Sequence, residues 1–390
     1  VDKEKISAMH SDARKRVSAP AEFRGIQALR GLAACMVALF HSTQIWSEHT
    51  WRSLNSIAWL NGAAGVDIFF VISGFVMTVS SVGKQSAHPG KDFLERRMIR
   101  IAPLYWIVTS VVLVQLLLHF HPVFEPGGKY AETTLGYVVS SYMFIPYRNS
   151  LGVINPLLVV GWTLTFEMFF YLLFAAALGL RVNVVRFLTP LMVVLAVVGM
   201  FRQRSWPAIT VLASPLLLEF LAGVLLGYAV VRGFEMRWEL AAGLGVLGLA
   251  AIAVVRAPET YTMRVVVWGV PAVLIVLSAA MLEDRFGRLV PRWAQLLGGA
   301  SYSLYLFHLL VLSAVGVLLV RMHVLTMGVV HRRDEVVTVL ACMSAGIFAS
   351  LLLYWWVENP LNKALRRRLR VRQEMRAART LELVGVEGEG

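Results

Sequence analysis

Six ionisable side chains stand where an apolar helix should carry none. Arg30, His41, Asp67, Glu167, Glu219 and His308 each interrupt a long hydrophobic run, and Glu358 closes the last one. A charge at the bilayer centre costs at least ~2.5–3.5 kcal/mol on insertion scales, so each needs a partner, a cavity or a function. Arg30 and His41 are the most informative pair. Eleven helical residues separate them, which is about 16 Å of rise and three turns plus ~20°, so both lie on one face. A guanidinium holds phosphates bidentately at any biological pH, and an imidazole moves protons near neutrality. The blander alternatives are an arginine snorkelling to headgroups and an interfacial histidine.

Glu167, counted along its own run, falls at nearly the depth of His41, where a carboxylate would orient and charge the imidazole. An interhelical hydrogen bond without chemistry is the competing reading. Trp162 and Tyr171 read as belt and packing residues. Asp67 stands near the midplane among Gly62, Gly65, Ser73 and Gly74, and Glu219 precedes Gly223 and Gly227. Small residues at such spacing let two backbones approach closely. For both carboxylates a structural hydrogen bond competes with a place on a substrate path. Ser301, Tyr305 and His308 share one face, with His308 placed in the inner half of its helix. Arg96, Arg97 and Arg100 cluster ahead of Pro103, as cytoplasmic charge or as an anion site. No metal site is expected, since His119 and His121 lack a third ligand at useful spacing. No Gly-x-Ser-x-Gly elbow appears, which disfavours a serine hydrolase.

The elements that must position these groups follow from composition. Hydrophobic residues make up 57% of the 390 and charged ones 16%, against roughly 45–50% and ~25% in soluble domains. This predicts an all-α, polytopic integral membrane protein. About ten runs reach toward the ~20 apolar residues that a span requires, from 26–46 to 336–357, with 187–201 the shortest. Residues 135–147 are apolar but too short to cross. Charge supports leaving them out. With ten spans and the N-terminus in the cytoplasm, 26 of the 37 Lys and Arg fall inside and 10 outside, Arg30 lying within the first span. Were 135–147 to cross, the split would be 19 to 17, against the inside preference of basic residues. The expected organisation is a cytoplasmic tail over 1–23, a transmembrane domain over 24–362 and a basic cytoplasmic tail over 363–390. Arg366, Arg367, Arg368, Arg370, Arg372, Arg376 and Arg379 of that tail suit anionic lipid better than nucleic acid, which would want interleaved aromatics. Cys35 and Cys342 sit in apolar runs and read as packing residues. No signal peptide is evident in residues 1–23.

A cationic inner mouth joined to a polar outer half suits a phosphate-bearing donor and an external acceptor. It suits a proton-coupled transporter of an anionic solute equally well.

Four stretches narrow this choice: Phe23-Arg24-Gly25-Ile26-Gln27-Ala28-Leu29-Arg30 through His41; Gly65-Val66-Asp67-Ile68-Phe69-Phe70-Val71-Ile72-Ser73-Gly74; Gly161-Trp162-Thr163-Leu164-Thr165-Phe166-Glu167; and Ser301-Tyr302-Ser303-Leu304-Tyr305-Leu306-Phe307-His308. Together they resemble the membrane-bound acyltransferase-3 family, and in wording its exopolysaccharide-modifying branch. The Arg-x10-His spacing is met by Arg30 and His41, and the family's Arg-x-x-Arg loop by Arg97 and Arg100. The resemblance implies a ten-helix bacterial inner-membrane enzyme that transfers an acyl group, acetyl foremost, from cytoplasmic acyl-CoA to an extracytoplasmic sugar. It implies His41 as general base oriented by Glu167, with an acyl-histidine relay as a variant. Arg30, Arg97 and Arg100 would hold the donor, and Asp67, Ser73 and His308 would line its path. The expected partners are acyl-CoA, a glycan acceptor and membrane lipid, without nucleic acid, and self-association is left open. The chain leaves no room after the last helix for the esterase-like domain of some members.

Overall fold

A computed structural model describes residues 23–50, 60–81, 86–118, 131–255, 258, 260–322 and 332–387. The N-terminal tail up to residue 22 and the His119/His121 pair lie outside the described residues. Helices carry most of the described chain. Seven are long and apolar enough to cross a membrane and three shorter ones are equally apolar in character, so the protein is an all-α polytopic membrane protein. In chain order they are α1 (Arg24–Thr50), α2 (Gly65–Ser81), α3 (Pro89–Leu117), α4 (Leu135–Tyr142), α5 (Trp162–Gly179), α6 (Val184–Met200), α7 (Leu217–Val231), α8 (Trp238–Val254), α9 (Tyr261–Met281), α10 (Arg292–Gly299), α11 (Ser301–Arg321), α12 (Arg332–Leu353) and α13 (Asn359–Glu387). The eight residues of α4 rise about 12 Å, far short of the ~30 Å hydrocarbon layer. Residues 135–147 therefore do not cross, as their length and the charge count predict.

Helix α13 runs without a break through residue 363, entered by a π turn over Tyr354–Glu358. The basic segment is thus a continuation of the last helix, with Arg367, Arg368, Arg370 and Arg372 exposed along it and Leu369 turned into the protein.

Close packing of small residues replaces the hydrophobic driving force that lipid removes. The glycines flagged by spacing serve this purpose. A Cβ on Gly74 of α2 would collide with the Phe220 carbonyl of α7, and one on Gly223 with the Val71 carbonyl. Around this seam Phe70 stacks on Phe220 at 4.4 Å, and Phe220 on Phe170 at 4.7 Å. The N-terminus of α1, whose first amides have no intrahelical acceptor, is capped from afar. The Glu283 carboxylate accepts from the amides of Arg24 and Gly25, each at 2.8 Å. Cys35 and Cys342 are free thiols, the latter packed on Leu312.

Helix directions fix where the site residues meet. Ala34 and Ala38 of α1 pack on Leu304 of α11, and His41 reaches His308, so α1 and α11 run parallel. Helix α5 opposes them: Thr163 at its start meets Tyr305, while Tyr171 two turns on meets Arg97. The bundle thus has an arginine end and a histidine end.

Candidate active site

Between these ends lies a cavity of about 740 Å³, counting its open mouth, lined by residues of α1, α2, α3, α5 and α11. Arg30, Arg97 and Arg100 contribute its cations, Glu167 its carboxylate, and Ser73, Tyr171, Tyr302, Thr163 and Tyr305 its hydroxyls. Arg30 is steadied by Gln27, one turn back, at 3.1 Å. Arg97 donates to the Ser80 hydroxyl at 3.0 Å and lies over the rings of Phe93 and Tyr171. These contacts leave each guanidinium with free N–H groups, since it carries five donors.

The expected pairing of His41 with Glu167 is replaced by two separate pairings. Glu167 accepts from the Ser73 hydroxyl at 3.0 Å and from the Tyr171 hydroxyl. His41 is paired with His308, Nδ1 to Nε2 at 3.1 Å, rings 5.0 Å apart. The reason is helix offset. Thr163 and Tyr305 share a hydrogen bond at 2.7 Å, and from that level Glu167 lies one turn, ~6 Å, toward the arginines, whereas His308 lies ~4.5 Å the other way. Counting depth from the first apolar residue put the two groups level; the register of α5 against α11 separates them. The same register places His308 beside His41 rather than nearer the arginine end. Tyr171, expected to be a packing residue, is a donor to the half-buried Glu167 carboxylate.

The tautomers follow from the acceptors. His308 Nδ1 faces the Leu304 carbonyl at 3.0 Å and His41 Nδ1 faces that of Val37 at 2.9 Å. A carbonyl only accepts, so both Nδ1 atoms carry hydrogen. In the neutral ring His308 Nε2 is then an acceptor and shares the His41 Nδ1–H with Val37. His41 Nε2 is left with a lone pair and no partner among the described residues. This is the nitrogen that can take a proton. His308 is fully buried and holds the ring; Tyr305, whose ring centroid lies 6.2 Å from that of His308, separates the pair from the cavity.

Of the other expected site residues, Ser73 lines the cavity and Asp67 does not. Asp67 is fully buried in a bidentate ion pair with Arg264, Nε to Oδ1 at 2.9 Å and a terminal nitrogen to Oδ2 at 2.8 Å. Arg264 also lies over the rings of Trp162 and Trp268. Sequence reasoning overlooked Arg264 as a partner. The available signal was that a carboxylate near the midplane requires a cation, and Arg264 stands at the edge of an apolar run. Glu219 is buried against Gly269 with both oxygens unpartnered among the described residues. Glu358 accepts from Ser303 at 2.6 Å.

A membrane bundle with an arginine-lined cavity and a histidine pair beyond Tyr305 defines a candidate group-transfer site. Residues 23–355 match the family model for the acyltransferase domain of the acyltransferase-3 family. The chain belongs to this family and is an acyl-transferring membrane enzyme. It is 32% identical over 331 residues to the exopolysaccharide production protein ExoZ of Rhizobium meliloti, covering 83% of this chain and 94% of ExoZ. It is 29% identical to nodulation protein 10 of Rhizobium leguminosarum bv. viciae, over 71% of this chain and 82% of that one. A shorter match, 30% over 160 residues, covers 39% of this chain and 24% of the peptidoglycan O-acetyltransferase OatA of Listeria monocytogenes. No solved structure matches the chain significantly.

Proposed function

We propose that the protein is an O-acyltransferase that moves an acyl group, acetyl foremost, from a cytoplasmic acyl-CoA to a hydroxyl of an extracytoplasmic glycan. The carrying observation is an arginine-lined cavity in one half of the bundle and, beyond Tyr305, an imidazole whose Nε2 has no partner among the described residues. The names of ExoZ and OatA tie two relatives to exopolysaccharide production and to peptidoglycan O-acetylation. The excess of basic residues on one side of the chain supports both ends lying in the cytoplasm of a bacterial inner membrane, with the arginine end facing inward.

Arg30, Arg97 and Arg100 would hold the donor's phosphates by charge-assisted hydrogen bonds. Glu167 would balance their charge while the cavity is empty, fixed by Ser73 and Tyr171. His41 would be the general base and His308 its positioning residue. The acceptor hydroxyl oxygen attacks the thioester carbonyl carbon as its proton passes to His41 Nε2. The C–S bond then breaks, and the proton leaves His41 for the departing thiolate, giving an ester and free CoA. An acyl-histidine relay through the same Nε2 is chemically open to an imidazole.

The test is the ester content of surface glycans by NMR in cells carrying the wild type or His41→Ala. Loss of esters is expected; an unchanged content would overturn the reading. CoA affinity of the purified protein should fall in Arg97→Ala, and an unaltered affinity would detach that arginine from donor capture.

A further inference from the structure

A second concavity of about 410 Å³ opens at the histidine end, outside the arginine cavity and behind the first turns of α5. It is lined by Trp162, Thr165 and Phe166 of α5, by residues 145–147 and 154–156, and by Val211 and Tyr261. That volume counts its open mouth, so the feature is an open surface cleft rather than an enclosed pocket.

The cleft is built rather than left over. Arg148 donates to the carbonyls of Arg204 at 2.6 Å and Trp206 at 3.0 Å, clamping its segment to the neighbouring loop. An antiparallel bridge joins Arg148 to Ile154, and the Asn149 side chain accepts from the amides of Leu151 and Val153. Tyr147 is held by stacking on Tyr137 at 5.9 Å, and Trp162 by the Arg264 guanidinium at 5.8 Å. A long connection ordered in this way is more often functional than merely connecting.

Its chemistry is equally specific. No charged side chain lines it, so it does not duplicate the phosphate-binding character of the arginine cavity. Four aromatic rings, Tyr147, Trp162, Phe166 and Tyr261, offer apolar surface. The Tyr147 and Tyr261 hydroxyls, the Trp162 indole N–H and the Asn155 amide make no hydrogen bond among the described residues. Flat apolar faces edged by free donors and acceptors match the two kinds of surface on a pyranose, its C–H face and its equatorial hydroxyls. Trp162 and Tyr261 sit against each other, ring centroids 6.5 Å apart and tilted by 41°, so together they form one continuous aromatic surface of the cleft. The location fits as well. Thr163, next to the lining residue Trp162, bonds to Tyr305, one turn from the His308 that holds His41.

We infer that this cleft is an acceptor subsite that binds an uncharged pyranose unit of the glycan, through Trp162, Tyr147, Tyr261 and Asn155. The inference rests on the proposed glycan acylation for its meaning, but its test does not pass through acylation. The full chain, purified in a detergent without sugar headgroups, is mixed with cellotetraose, methyl β-glucopyranoside or methyl β-glucuronide, and saturation transfer to sugar C–H protons is recorded. The tetraose and the methyl glucoside should bind, the glucuronide several-fold more weakly. Asn155→Ala and Tyr261→Ala should each weaken tetraose binding about tenfold, Tyr261→Phe should stay within threefold of wild type, and His41→Ala should bind like wild type. Absence of saturation in the wild type, equal binding by Tyr261→Ala, or preference for the glucuronide would each overturn the subsite. If the tetraose binds as expected while His41→Ala cells keep their glycan esters, the acylation reading fails and the subsite stands.

Discussion

Removing the Arg264 side chain isolates a carboxylate in the middle of the bundle, and the cost can be reasoned from its contacts. In the intact protein Asp67 has no exposed surface and receives two charge-assisted hydrogen bonds, at 2.9 and 2.8 Å, from one guanidinium. Arg264 further donates to the Ala63 carbonyl at 3.2 Å and packs on Trp268 at 5.0 Å. Arg264→Leu therefore strands a buried charge beside the already unpartnered Glu219, and breaking such a pair costs about 3–5 kcal/mol. Asp67→Leu alone strands the arginine with similar consequence. The double substitution to Leu removes both charges, so it should be less destabilised than either single variant by about 2 kcal/mol or more, because desolvation of an unpaired ion is no longer demanded. Thermal unfolding of the detergent-purified variants reads this directly. The single variants should melt on the order of 10 °C below wild type and the double variant should recover much of that loss. Additive losses, with the double variant the least stable, would refute the argument that a stranded charge dominates. Because Arg264 also supports Trp162, the single variant should loosen the cleft lining as well.

Other expectations follow from the same geometry. His41→Ala should lower acyl transfer by about 10²–10⁴-fold, the usual contribution of a positioned general base, measured as ester formed per unit time. Glu167→Gln should not mimic it. With its counter-charge gone the arginine cavity should bind CoA several-fold more tightly, most clearly at low salt, whereas weaker binding with base-like loss of rate would restore Glu167 to the side of His41. Gly74→Val places a side chain against the Phe220 carbonyl and should abolish a monodisperse, cooperatively melting protein. Arg148→Ala should speed amide exchange over residues 145–156 without altering CoA affinity, followed by hydrogen exchange.

The architecture was legible in the sequence because lipid permits few solutions. Spans must be long, apolar and helical, so counting residues was enough to give the bundle and to exclude 135–147. The glycines around Asp67 and Glu219 were equally readable, since close backbone approach leaves a spacing signature. Of the cavity residues, Arg30 and Glu167 are legible because each is costly in lipid unless given a polar wall, whereas Arg97 and Arg100 are marked by their cluster at the mouth and Ser73 by the family resemblance.

What the chain by itself determined is which groups must avoid lipid and, through the eleven-residue step from Arg30 to His41, that one helix carries a guanidinium and an imidazole on the same face. It did not determine their partners. Depth counted from the end of an apolar run carries an error of a helical turn, and a turn is the difference between His41 meeting Glu167 and meeting His308. That offset is set by how α5 and α11 interlock at Thr163 and Tyr305, a contact between residues 142 positions apart. Only the packed bundle also joins Asp67 to Arg264 and folds 145–156 over Trp162. Pairing across helices depends on mutual register and rotation, and no single helix encodes either.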